Sequence, residues 1–141
     1  AISMDMISGF CTETDSDHQD TLDLMKYVRY DYGYMFKYSE RPNTTAEKKY
    51  KDDVPEEKKQ ERLVEIINLQ QTHSLENNKE RIGNTYEVLI EGISKKSNSH
   101  FFGRTTHNCV AVFEKKNAKI GDYVNVKVHD CTAGTLKAKI I

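Results

Sequence analysis

No apolar run in this sequence approaches the roughly 20 residues needed to cross a bilayer, which argues against a helical membrane protein. Nor is there a basic start followed by an apolar stretch and a small-residue cleavage site, so no secretory leader is read. Ala1-Ile2-Ser3 is no natural translation start, and the chain is expected to begin inside a longer protein. Cysteine is scarce: Cys11, Cys109 and Cys131 lie far apart, without the close spacing of a zinc or cluster motif. They read as reduced thiols of a cytoplasmic protein, with Cys109 and Cys131 as small core residues inside strand-like segments. His18, His73, His100, His107 and His129 are scattered with no helical pair at i, i+4, so each reads as a surface or polar-core group rather than a metal ligand. A nucleophile–base pattern, a glycine-rich phosphate loop and a membrane-binding amphipathic helix are also missing.

What is present is 141 residues, enough for one substantial core or two small ones. The net charge of −1 conceals an asymmetry. Residues 84–141 carry nine Lys/Arg against five Asp/Glu, whereas the preceding part carries twelve against seventeen. A basic C-terminal unit beside an acidic one fits a polyanion-binding appendage.

Ile2, Met4 and Met6 alternate with Ser3 and Asp5, then Ile7 leads to Gly9-Phe10, a pattern that predicts a buried strand ending at a glycine turn. Thr14-Asp15-Ser16-Asp17 resembles a capping box, and Leu22, Met25 and Val28 recur at helical spacing behind it. From Tyr32 to Tyr38 the period changes to two, with Tyr32, Tyr34, Phe36 and Tyr38 on one face. Tyr32, Tyr34 and Phe36 are expected in the core. Strand, helix, strand is the repeat of a parallel α/β sheet or barrel, whose functional residues gather where strands run into loops such as Ser39–Thr45.

Asp52-Asp53-Val54-Pro55-Glu56-Glu57 starts a further helix, predicted to run to about Asn78. Its apolar stripe of Leu63, Ile66, Ile67 and Leu75 is narrow; Lys58, Lys59, Glu61, Arg62 and Glu65 crowd the other faces, which suits a connector packed on one side. After Gly83 the texture is β throughout. Candidate strands are Thr85–Ile93, Phe101–Thr105, Cys109–Phe113, Tyr123–His129 and Thr135–Ile140, which read as a small closed barrel of the oligonucleotide-binding kind. The fold class expected is α+β.

Three stretches of the first half carry a family resemblance: Asp5-Met6-Ile7-Ser8-Gly9-Phe10-Cys11-Thr12-Glu13-Thr14, then Tyr34-Met35-Phe36-Lys37-Tyr38-Ser39-Glu40-Arg41-Pro42, then the Asp53-Val54-Pro55 helix start. Together they resemble the last strands and helices of the radical S-adenosylmethionine barrel of the methylthiotransferases. Tyr-Ser-x-Arg-Pro favours the tRNA branch, the MiaB type. Gly103-Arg104-Thr105-Thr106-His107-Asn108 and Gly121-Asp122-Tyr123-Val124 look like that family's TRAM domain, a β-barrel used for RNA binding.

The resemblance implies a division into residues 1–82, the end of the radical barrel with its connector helix, and residues 83–141, the TRAM barrel. It implies a full-length enzyme with two 4Fe-4S clusters and S-adenosylmethionine that adds a 2-methylthio group to N(6)-dimethylallyladenosine beside the anticodon. The tRNA anticodon stem-loop is the implied partner, with no membrane association. The Cys-x-x-x-Cys-x-x-Cys run that would hold the radical-generating cluster is absent, so these residues alone are expected to bind no cofactor and to be inactive. The full-length protein is expected to be monomeric, and this piece to self-associate through an exposed barrel edge.

On this reading Gly9 permits close approach and Phe10 walls the cofactor's adenine; the alternative is strand termination and core packing. Tyr38, Ser39 and Arg41 follow the second strand and contact substrate or cofactor, or else form a packed tyrosine and a loop ion pair. Lys95, Lys96, Arg104, Asn108, Lys115 and Lys116 fall in or beside predicted turns, where cations reach phosphates and an amide reads a base edge. Of the adjacent Phe101 and Phe102, one faces outward as a stacking platform, the alternative being a solvated charged rim with both rings packed away. Two other functions stand beside the tRNA enzyme: a stand-alone RNA-binding module, and a relative that modifies a ribosomal protein.

Overall fold

Thr14 opens the first helix as its spacing predicts. Its hydroxyl accepts from the Asp17 N–H at 3.2 Å while the Asp17 carboxylate accepts from the Thr14 N–H at 2.8 Å, closing the reciprocal cap. The computed structural model describes all residues, Ala1–Ile141, in two compact units, Ile2–His73 and Ser74–Ile141.

In the first unit β1 (Ser3–Ser8) and β2 (Tyr32–Lys37) form a parallel two-stranded sheet, joined by α1 (Asp15–Val28). A parallel pair needs such a crossover. α2 (Thr45–Lys49), a short helix capped by Thr44 that the sequence reading did not anticipate, precedes α3 (Glu56–Glu80). The core is Met4, Met25 and Ile66, with Met6, Leu22, Tyr30, Met35 and Leu69 packed against it.

The helices therefore cover the methionine face of the sheet. Tyr34 and Phe36, expected in the core, are instead 63% and 58% exposed, because they share the opposite face with Ile7. Neither strand has a second partner in the sheet.

α3 also departs from expectation. Its buried positions Lys59, Arg62, Ile66, Gln70, His73, Ser74 and Asn78 follow helical spacing, but all except Ile66 are polar. Burial of such groups requires partners. Lys59 Nζ bridges Asp52 at 2.6 Å, and Arg62 spans Glu13 and Asp15, each at 2.8 Å. Gln70 Nε2 donates to the Tyr30 carbonyl at 2.7 Å, and His18 meets Glu65 at 2.6 Å.

The second unit is a closed five-stranded barrel of β3 (Thr85–Ile93), β4 (His100–Thr105), β5 (Val110–Glu114), β6 (Tyr123–Thr132) and β7 (Thr135–Ile140), in the order β3-β4-β5-β7-β6. Only β5 and β7 pair in parallel. Alternation sends Val88, Ile90, Phe101, Phe113, Val126, Val128 and Leu136 into one core. Cys109 and Cys131 are half-buried against it rather than inside it, since both stand at strand margins; Cys11 is the buried thiol. Asn78 Nδ2 ties the end of α3 to the β6–β7 turn through the carbonyls of Thr132 and Ala133 at 2.9 and 3.0 Å.

Candidate nucleic-acid interface

The alternation that buries Phe101 turns Phe102 outward. Register then sets Phe102 beside Val112 across β4 and β5, and Val112 beside Lys137 across β5 and β7. The same row ends at Gly92 on β3 and Asp130 on β6. Phe102, Val110 and Val112 give an apolar lining to a groove of about 590 Å³. Lys95 and Lys96 reach it from the β3–β4 loop, and Lys137 and Lys139 from β7.

That loop is ordered by its own side chains. The Ser97 and Ser99 hydroxyls each lie 3.0 Å from His100 Nδ1 and 2.8 Å from one another. Glu114, His100 and His129 complete the ionisable lining, so four lysines face one carboxylate in the groove itself. Lys137 is bridged to Asp130 at 2.6 Å, and its ammonium, with the Cys131 N–H, holds the Asp130 carboxyl below its ordinary value.

The expected barrel residues thus separate. Lys95, Lys96 and Phe102 meet in the groove; the other four are engaged elsewhere. Arg104 donates to the backbone and side-chain oxygens of Asn108 at 3.3 and 3.2 Å and faces Glu91 at 3.4 Å. Asn108, at φ +59°, turns the chain between β4 and β5. Lys115 lies over the Phe101 ring, 5.1 Å from its centroid, and Lys116 donates to the Ile140 carbonyl at 2.7 Å. Lys137 and Lys139 were not anticipated, although period two in Thr135–Ile140 puts both on the outward face.

In the first unit, Ile7, Phe36, Tyr38, Ser39, Arg41 and Leu63 line a cleft of about 630 Å³. Ser39 and Arg41 are exposed, whereas Tyr38 is buried. The Phe10 ring packs edge-on against Tyr38 at 5.0 Å and Tyr50 at 6.3 Å. Lys59 Nζ stands 5.2 Å from the Tyr38 centroid, and the neighbouring Cys11 thiol, with burial, pushes the Tyr38 phenol up to about 12. The Tyr38 hydroxyl is buried and makes no hydrogen bond. What approaches Gly9 closely is the stem of Lys59.

Residues 79–141 match the TRAM domain family. The residues lining the groove all lie within that matched stretch. Across its length the chain is also similar to proteins named tRNA-2-methylthio-N(6)-dimethylallyladenosine synthase. Identity is 63% over 135 residues to that of Christiangramia forsetii, covering 96% of this chain and 28% of the relative. It is 55% over 141 residues to that of Flavobacterium johnsoniae (100% and 29%), and 56% over 136 residues to that of Chloroherpeton thalassium (96% and 30%). The chain spans less than a third of these relatives, matching their C-terminal part.

Iron–sulfur clusters would need grouped thiolates. Cys11, Cys109 and Cys131 are not grouped, and no set of three His, Cys, Asp or Glu stands close enough to hold a metal ion. The residues present do not fit a cluster, and no catalytic step follows from them. No helix is long and apolar enough to cross a membrane.

Proposed function

We propose that this chain is the RNA-binding end of a MiaB-type tRNA methylthiotransferase, which adds the 2-methylthio group to N(6)-dimethylallyladenosine beside the anticodon. The observation that carries the reading is the similarity to these synthases, which runs through both compact units without a break in order. The TRAM groove supports it physically. Its four lysines suit a phosphate backbone, and contacts of that kind supply position and salt-dependent affinity.

On this reading residues 83–141 grip the anticodon stem-loop. Residues 1–82 contribute the last part of the radical barrel, with Gly9, Phe10, Tyr38, Ser39 and Arg41 at its mouth. The two 4Fe-4S clusters and S-adenosylmethionine belong to the rest of a monomeric, cytoplasmic protein, and these 141 residues alone carry no activity.

The test is complementation of cells lacking the modification with the full-length parent gene, reading tRNA nucleosides by mass spectrometry. Recovery of the methylthio nucleoside is expected, and its absence would sink the assignment. The 141-residue chain should bind a tRNA anticodon stem-loop with affinity that falls as salt rises. Binding indifferent to salt would remove the lysine groove from the reading.

A further inference from the structure

We propose that the TRAM groove takes one unpaired RNA base, stacked on the outward side of Phe102, with the flanking phosphates on the groove lysines. This rests on the RNA-binding reading and adds the kind of nucleotide bound.

Phe102 and Phe101 are adjacent but differently employed. Phe101 is 6% exposed, inside the barrel and beneath Lys115, whereas Phe102 is half-buried on the outside. The Phe102 ring fills the space that a side chain on Gly92 would occupy. A Cβ there would stand 2.7 Å from Phe102 Cε1 and 3.2 Å from Cζ. Gly92 lies in the same cross-strand row, so the ring is backed by strand backbone and held in one pose.

The lining then decides the ligand. Phe102, Val110 and Val112 offer nothing to a phosphate, while Lys95, Lys96, Lys137 and Lys139 offer nothing specific to an apolar face. A nucleotide satisfies both if its base lies on the ring and its phosphates meet the ammonium groups. Glu114 in the groove repels phosphate and keeps it at the lysines. Inside a duplex both faces of each base are covered by neighbours, so beyond the stem end that hairpin and duplex share, only an unpaired base has a face to give.

The experiment uses the 141-residue chain with two RNA probes: a hairpin carrying 2-aminopurine in its loop, and a blunt duplex of the same stem. Binding is expected to be tighter to the hairpin and to quench the loop fluorophore. Phe102→Ala should weaken hairpin binding by roughly five- to a hundredfold, the worth of one stacked base, while leaving duplex binding and the salt slope unchanged. Phe102→Trp should restore quenching. Phe102→Leu, which keeps apolar bulk for the fold, should not. Gly92→Ala, which displaces the ring without removing it, should give an intermediate loss. Equal affinity for hairpin and duplex, or a Phe102→Ala loss shared by both probes, would overturn the stacking and leave RNA binding standing. Failure of the unsubstituted chain to bind either RNA would overturn both.

Discussion

Gly9 and Lys59 share one space: a Cβ on Gly9 would lie 2.3 Å from Lys59 Cγ. Gly9 also holds φ +72°, a conformation other residues reach only with strain. The helix bearing Lys59 can approach the end of β1 only because that position has no side chain, and the approach carries the ammonium over Tyr38 to Asp52. Gly9→Ala is expected to cost roughly 3 kcal/mol, from left-handed strain together with overpacking. In a Lys59→Ala background the Cγ and Cδ contacts vanish and only the Cβ contact at 3.0 Å stays, so the cost should fall toward the roughly 1–2 kcal/mol of left-handed strain. Urea unfolding of the four proteins of this cycle measures the coupling; strictly additive losses would refute the shared-space account.

Arg62 is the second buried cation of α3. Burial opposes its charge, but the Asp15 and Glu13 carboxylates outweigh that and raise its pKa above the ordinary value. Removing it leaves the largely buried Glu13 without its counter-charge. Arg62→Ala should therefore cost roughly 3 kcal/mol in thermal or urea unfolding, far more than an exposed ion pair is worth. Arg62→Met with Glu13→Gln, which removes both charges and keeps the volume, should recover much of that loss. No recovery would mean that the guanidinium acts through its geometry rather than its charge.

Where each inner face alternates cleanly, as in Val88/Ile90 or Leu136/Ala138, the barrel strands were legible, with ends displaced by one to three residues. Legibility failed where pattern and burial separate. In β2, Met35 and the Tyr34/Phe36 pair are apolar on opposite faces, and no local rule says which face the helices will cover. In α3 the buried period is written mostly in Lys59, Arg62, Gln70 and His73, and of the apolar stripe Leu63, Ile66, Ile67 and Leu75 only Ile66 is fully buried. The groove was half legible. Turn lysines announce themselves by position, whereas Lys137 joins Phe102 only through the β5–β7 pairing, a parallel contact that sequence order conceals.

The cap of α1 makes a pH prediction. Asp17 titrates below its ordinary 3.8 because the Thr14 backbone N–H and then the Thr14 hydroxyl donate to it. A depressed folded pKa gives stability that is fully present above the ordinary value and is lost as pH falls through the folded one. Thr14→Ala removes the hydroxyl and keeps the N–H. The variant should be less stable at neutral pH, and the difference from the parent should shrink as pH falls below 3.8. Thermal unfolding across that range checks it, and a difference independent of pH would show that Asp17 does not answer the cap.

Asp130 makes the sharpest electrostatic prediction for the groove. Its carboxylate bridges Lys137, and the Lys137 ammonium and the Cys131 N–H hold its pKa below the ordinary value. An incoming phosphate must compete with that carboxylate for the same ammonium. Asp130→Asn removes the competitor with almost no change in volume. RNA affinity is then expected to rise by up to about fivefold, the worth of an exposed ion pair, and the salt slope to steepen as one more cation meets phosphate. Lys137→Ala should move both in the opposite direction. In the Lys137→Ala background, Asp130→Asn should retain only the smaller gain that follows from removing a negative charge near the groove. That dependence distinguishes release of Lys137 from a general change in field. If Asp130→Asn raised affinity equally with and without Lys137, the bridge would have no part in RNA binding.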